Sequence, residues 1–297
     1  QINALPRSSI STIHSFCISV IRKFFHVINL DPGFRIGDET ENHILRLEAI
    51  EDLFEAEYEK GDERFLGLVE RFGSPKDDAP LKDLVLRLHG FIQSKPEPLA
   101  WLKEQVGDFA LTAPELENSP WCLALKKQIS LELSGALDIL REALEICRKP
   151  FGPDGYESAI SSDISEVEGL LSILESSGLK ACIDAFHRLQ FIRLGRCSKQ
   201  TDADLQETVK NLREEAKKLI RGAGEGILKY DIDTYASELN ELHPYLEYLY
   251  SLVEGFDREY KARKQEKGII DFNDLEHYTL DILADEESAA ELRQRYE

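Results

Sequence analysis

Lys210, Arg213, Lys217 and Arg221 recur at intervals of three, four and four residues. On a helix that spacing lines all four cations along one stripe about 16 Å long, while Leu205, Val209, Leu212, Ala216 and Leu219 form an apolar stripe on another face. A cationic stripe suits phosphates; the same residues also read as a solvated face supported by pairs such as Glu214 with Lys218. Thr12, His14 and Ser15 sit where a short β-branched run, Ile10–Ile13, gives way to helical periodicity. The free amides of a helix start suit an anion, although Thr12 and Ser15 equally serve as plain caps. Near the other end, Asp271-Phe272-Asn273-Asp274-Leu275 places an aromatic between two natural N-caps, Asp271 and Asn273. Arg258, Lys261, Arg263, Lys264 and Lys267 form a second basic cluster leading into it.

Other chemistries lack their residues. No Gly-x-x-x-x-Gly-Lys-[Ser/Thr] occurs, so the sequence has no loop to cradle a triphosphate. A di-metal helical bundle needs paired Glu-x-x-His motifs; only Asp184-x-x-His187 and Asp274-x-x-His277 come near. Gly222-Ala223-Gly224-Glu225-Gly226 has no lysine and reads as a turn between helices. A nucleophile elbow is missing too. Cys17, Cys122, Cys147, Cys182 and Cys197 are scattered without a Cys-x-x-Cys pair, the pattern of reduced thiols in a cytoplasmic protein without a bound metal. No apolar run approaches the roughly 20 residues that span a bilayer.

The net charge of −20 and pI near 4.8 repel a polyanion. Any nucleic-acid contact must therefore be local.

The positioning elements are helices almost throughout. Asp38-Glu39-Thr40-Glu41 has the form of a capping box, with Ile44, Leu47, Ile50 and Phe54 following as the expected apolar face of a helix to about Tyr58. Amphipathic stretches continue through Asp62–Phe72, Leu81–Ile92, Pro98–Phe109, Trp121–Cys147, Ile160–Leu174, Ala181–Ile192, Asp202–Ile220, Thr234–Arg263 and Phe272–Leu283. Strand signals are limited to Ile10–Ile13 and Gly268–Ile270. The expected class is all-α, an irregular multi-helix fold with at most short strand remnants at its ends. The Pro/Gly-rich stretch near 150–156 is the best subdomain joint.

Ser-Thr-x-His-Ser-Phe-Cys at residues 11–17 is similar to the DNA-contacting motif of UvrD-like superfamily-one helicases, and Ile270-Asp271-Phe272-x-Asp274-Leu275 to the segment before their magnesium-binding motif. Within that superfamily the length most resembles AddA-type subunits of bacterial helicase/nuclease complexes, since Leu30-Asp31-Pro32-Gly33-Phe34-Arg35-Ile36, Phe72-Gly73-Ser74 and Arg196-Cys197-Ser198-Lys199 fall in the characteristic order. The resemblance implies that residues 1–30 and 268–297 belong to a RecA-like P-loop motor domain and 31–267 to a helical accessory insert. From Gln1 to Glu297 the sequence then reads as an internal piece, with no ATP site of its own. It implies that Thr12, His14 and Ser15 hold the phosphates of single-stranded DNA, that Phe272 meets a base, and that Lys210, Arg213, Lys217 and Arg221 face the duplex ahead of the motor. The parent would use ATP and magnesium, unwind and process double-strand-break ends for recombinational repair, and work with an AddB-like partner subunit. The alternative is a helical scaffold that docks a partner subunit.

Overall fold

The computed structural model describes residues 11–73 and 77–296; Ile10 of the expected strand and Ser74 lie outside them. Ile13 does not extend a strand. It opens α1 (Ile13–Phe24), which Thr12 caps by accepting the Ser15 N–H at 3.3 Å.

Asp38 caps α2 (Glu39–Lys60), accepting the Glu41 N–H at 2.8 Å, and Gly61 ends it with φ 63°. The expected capping box is half formed. Glu41 turns instead to Arg35, its two oxygens accepting from the guanidinium at 2.6 and 2.7 Å, because a charged fork outcompetes a single amide. The buried face of α2 is also rotated from expectation: Leu45, Ala49, Ile50, Leu53 and Phe54 are buried, whereas Ile44 and Leu47 are 48% and 44% exposed.

The described residues form two compact units. The first takes those up to Asp108 and those from Leu242 onward. In it, α2, α3 (Glu63–Phe72), α4 (Ala79–Ile92) and α5 (Pro98–Gly107) enclose a core with the later part of α10 (Ile232–Glu266), where Phe54, Phe65 and Val85 meet Leu252, Phe256 and Tyr260. A second core joins α1 to α11 (Phe272–Ala284) and α12 (Glu286–Tyr296), with Cys17, Val20, Ile21 and Phe24 packed against Ile270, Leu275, Ile282 and Leu292.

These two cores flank a sheet that corrects the all-α expectation. β1 (Arg35–Ile36) pairs with β2 (Ile269–Ile270) in parallel, Arg35 opposite Ile269 and Ile36 opposite Ile270. Two-residue strands carry no readable alternation, so nothing in the sequence marked β1. The pairing also sets the chain near Asp31 beside the chain near Gly268, so the helical path between them has adjacent roots.

The second unit spans residues 109–241. Here α7 (Pro120–Cys147) lies between α8 (Glu157–Phe186) and α9 (Ala203–Glu225), burying Ile129, Leu133 and Leu140 with Ile160, Val167, Val209 and Ile220. α6 (Ala113–Glu117) packs beside them. Residues 150–156, expected as a subdomain joint, form a turn within this unit. The two helices expected at 160–192 are present as the two parts of α8, which breaks at the non-helical Gly178, but the second ends at Phe186 and a segment without helix or strand follows from Leu189 to Ser198. The glycines at 222 and 224 stay helical, and α9 ends at Gly226.

Candidate nucleic-acid interface

A buried charge cluster fixes the start of α11. Gly268, at φ 61°, turns the chain from α10 into β2. Asp271 then accepts the Asp274 N–H at 3.0 Å, and Asp274 reaches back to the Asp271 N–H at 2.8 Å. Lys264 donates to both carboxylates, at 3.0 and 2.6 Å, and Tyr260 donates to Asp271 at 3.0 Å. Burial pushes the Asp271 carboxyl up, but Lys264, the Asp274 amide and the Tyr260 hydroxyl outweigh it and hold it below the usual carboxylate range. At Asp274 burial and the charge of Asp271 prevail over Lys264, and that carboxyl is raised. Asp274 is thus a structural residue, and Asn273 does not cap.

With its cap so held, α11 turns Phe272 outward at 55% exposure. The ring lies 5.1 Å from the His14 imidazole, tilted by 47°. His14 is also 3.5 Å from Glu276 through Nε2. Thr12 and Ser15, whose hydroxyls are 2.9 Å apart, are exposed beside it at the start of α1. The N–H groups of Ile13 and His14 lie in the first turn, where a helix offers no internal acceptor. The structure therefore brings Thr12, His14, Ser15 and Phe272 together.

Next to Phe272 opens a cleft of about 610 Å³ that Thr40, Asn42, His43, Arg46 and Asn273 help to line. Asn42 is 8% exposed, and its Oδ1 has no partner while its Nδ2 donates to the Gly37 carbonyl at 3.1 Å. Arg46 has a buried Nε without a partner, and its guanidinium lies 5.4 Å from the Tyr260 ring and 3.8 Å from Asp271. Asn42, His43 and Arg46 are not legible in the sequence, because polar residues inside α2 look like a solvated face. The signal available was their spacing of one helical turn, Asn42 to Arg46, on the side facing Gly37.

The cationic stripe does not survive as a surface. Arg213 is 4% exposed: its Nε and Nη2 donate to Asp163 at 2.6 and 3.0 Å, and Nη2 also donates to the Ile192 carbonyl at 2.7 Å. Lys217 pairs with Glu214 at 3.0 Å and lies 5.3 Å from the Phe191 ring. Lys210 pairs with Glu207 at 3.4 Å, and Arg221 is exposed. Four of the five cations of the second basic cluster are neutralised likewise, Lys264 as described, Lys261 by Asp257 at 2.8 Å, Arg263 by Asp52 and Glu48, and Arg258 by Glu259 at 3.7 Å, while Lys267 is exposed.

Among the described residues no group of three or more His, Cys, Asp or Glu side chains is placed to hold a metal ion. Asp274 is committed to Lys264, and His277 meets the Gln93 carbonyl at 3.1 Å. The sequence holds no glycine–lysine loop of the kind that cradles a triphosphate. No described helix is long and apolar enough to cross a membrane.

The model of the UvrD/REP helicase N-terminal domain matches residues 3–297. The chain belongs to that family. The family's domain is a RecA-like motor domain, so the all-α class is corrected at this level as well: the chain is a helix-rich part of a domain that contains a sheet. Over its whole length the chain is similar to the A subunits of the ATP-dependent helicase/nucleases of Alkaliphilus metalliredigens and Alkaliphilus oremlandii, 48% identical to each over 297 residues. The A subunit of the Syntrophomonas wolfei enzyme, which bears the same name, is 47% identical over 296 residues. The chain spans about a quarter of the length of these curated relatives, 25%, 25% and 24%.

Proposed function

We propose that this chain is part of an ATP-dependent DNA helicase/nuclease subunit that unwinds and processes broken DNA ends, and that it supplies DNA contacts within the first motor domain. One observation carries the reading. Two segments far apart in the sequence put an exposed imidazole, an exposed phenyl ring and the free amides of a helix start on one small surface. Amides and hydroxyls at Thr12, His14 and Ser15 suit a phosphate, and the Phe272 ring suits a base face. Single-stranded DNA presents both together. The adjacent cleft, lined by His43, Arg46 and Asn273 among others, offers polar side chains to a base edge. The relatives' names support the activity and a companion subunit. In this reading residues between Asp31 and Gly268 are a helical excursion from the motor, and ATP and magnesium are held by other parts of the protein.

The test is ATP hydrolysis by the full-length protein across a titration of single-stranded DNA. Thr12→Val combined with His14→Ala should raise the DNA concentration needed for half-stimulation while leaving the DNA-free rate unchanged. An unaltered titration would reduce Thr12 and His14 to a cap and a surface histidine.

A further inference from the structure

From Ala185 to Thr201 the sequence holds Arg188, Arg193, Arg196 and Lys199 and not one Asp or Glu, in a chain of net charge −20. All four are exposed, and none has an ion-pair or side-chain hydrogen-bond partner among the described residues. Most cations of α9 and α10, by contrast, are paired. After α8 the segment is neither helix nor strand, and it is anchored from below: Arg213 grips the Ile192 carbonyl at 2.7 Å, and Phe191 lies under Lys217. Its far end packs on the turn that follows α7. A Cβ on Gly155 would come within 2.2 Å of the Arg196 carbonyl oxygen, and one on Gly195 within 2.3 Å of the Gly155 carbonyl oxygen, so the two backbones meet through paired glycines. The Asp202 N–H donates to the Phe151 carbonyl at 2.8 Å.

That hydrogen bond leaves Phe151 in a singular position. It is 70% exposed, the largest fraction of any aromatic among the exposed apolar residues, and its φ is 63°. A bulky residue in the left-handed region is strained, and strain of this kind gathers where a side chain must be presented. Lys149, also exposed and unpaired, stands two residues away. The acids of the corner are occupied: Asp154 accepts the Gly155 N–H at 2.9 Å, Asp202 caps α9, and Glu157 pairs with Arg148 at 2.7 Å.

We propose that this corner of the second unit, Phe151 with Lys149, Arg193, Arg196 and Lys199, binds the end of a DNA duplex, the ring stacking on the terminal base pair and the cations holding the flanking phosphates. The proposal rests on the DNA-processing reading above and names a second site of DNA binding for it. A duplex is chosen over a single strand because tracking a strand takes a row of aromatic platforms, whereas this surface offers one ring. A duplex end presents one flat face and two lines of phosphates around it, which fits one ring among several unpaired cations. An acidic protein surface would use the cations and leave the ring without a role.

The test uses the full-length protein without ATP, on a blunt duplex carrying 2-aminopurine in its terminal pair, on the same duplex closed by hairpin loops at both ends, and on a single strand. Phe151→Ala should abolish the change in terminal 2-aminopurine emission and lower affinity for the open duplex roughly fivefold to a hundredfold. Binding to the closed duplex and the single strand should hold. Replacing Arg193, Arg196 and Lys199 by Ala should flatten the salt dependence of duplex binding by about 0.9 in log–log slope for each phosphate no longer neutralised. An Arg193→Lys, Arg196→Lys pair, which keeps charge, should retain the slope. Unchanged emission and slope in both variants, with the wild type binding all three DNAs, would overturn this proposal and leave the motor reading standing. A wild type that binds none of the DNAs would overturn both. Loss of a protein partner with DNA binding intact would assign the corner to that partner instead.

Discussion

The His14 imidazole and the Phe272 ring lie 5.1 Å apart, one in the first turn of α1 and the other at the first position of α11. Their meeting follows from the packing beneath them. Cys17, Val20 and Ile21 on α1 are buried with Ile270 and Leu275 around α11, which brings both helix starts to one side. Both rings remain open to solvent, which a core pair would not be.

If the Phe272 ring receives a base, Phe272→Ala in the full-length protein should weaken single-stranded DNA binding by about 1–3 kcal/mol, and Phe272→Trp should preserve it. Fluorescence anisotropy with a labelled oligonucleotide reads this directly. Thermal unfolding should move little, because an exposed ring contributes little burial. A large loss of stability with unaltered DNA affinity would return Phe272 to the core.

Arg213 and Asp163 are almost wholly buried, at 4% and 0% exposure, and joined by two hydrogen bonds. Removing one partner leaves the other charge stranded, so Arg213→Ala should cost about 3–5 kcal/mol in denaturant unfolding. Converting the pair together, Arg213→Met with Asp163→Leu, should recover much of that loss. Neither change should alter the salt dependence of single-stranded DNA binding, which does not use the segment that Arg213 anchors. A reduced slope in a folded Arg213 variant would restore the residue to the DNA surface.

What was legible in the sequence was the helix content, because periodicity and caps spoke to it, and the two end motifs marked the segments that open α1 and α11. Arg213 shows where that reading stops. Spacing on a helix places a cation on a stripe, but only the neighbouring helix decides whether the stripe faces water; here α8 supplies Asp163 and turns Arg213 inward. The same limit applies to α2, where Ile44 and Leu47 fit the period as well as Leu45 and Phe54 do. β1 was illegible for a different reason: two residues carry no pattern, and their partner lies at the far end of the sequence. Arg188 was hidden by assigning its segment to a helix ending at Ile192, whereas the chain leaves the helix at Phe186 and Arg213 holds the Ile192 carbonyl.

Gly178 has φ 90° and ψ −173° inside α8, a conformation essentially confined to glycine. The kink frees the next turn's amides, and Glu117 accepts the Leu179 N–H at 2.5 Å and the Lys180 N–H at 3.1 Å. A Cβ at Gly178 would also lie 2.4 Å from a Glu117 oxygen. Gly178→Ala should therefore destabilise the protein by about 1–3 kcal/mol. Glu117→Gln should cost less, since one amide acceptor survives. Equal stability of Gly178→Ala and wild type in urea titrations would mean that α8 can straighten through the kink.

Lys264 governs two carboxyls whose titrations run in opposite directions. Asp271 is held below its ordinary value, so its contribution to stability is present above about pH 4 and fades as the pH falls through the lowered value. Asp274 is raised, so stability is lost as the pH climbs from about 4 through the raised value. Lys264→Met removes the cation that both depend on and leaves two buried carboxyls facing each other. Both should then titrate higher, and the variant should fall short of wild type by about 3–5 kcal/mol at pH 8, where both must ionise. Toward pH 4 both acids of the variant are neutral while wild-type Asp271 stays ionised beside Lys264, so the deficit should shrink without vanishing. Adding Asp274→Asn should relieve it at pH 8 by removing one of the two charges. Urea unfolding at pH 4 and pH 8 makes the comparison, and a deficit of the same size at both would mean that Lys264 acts through the packing of its aliphatic stem rather than through its charge.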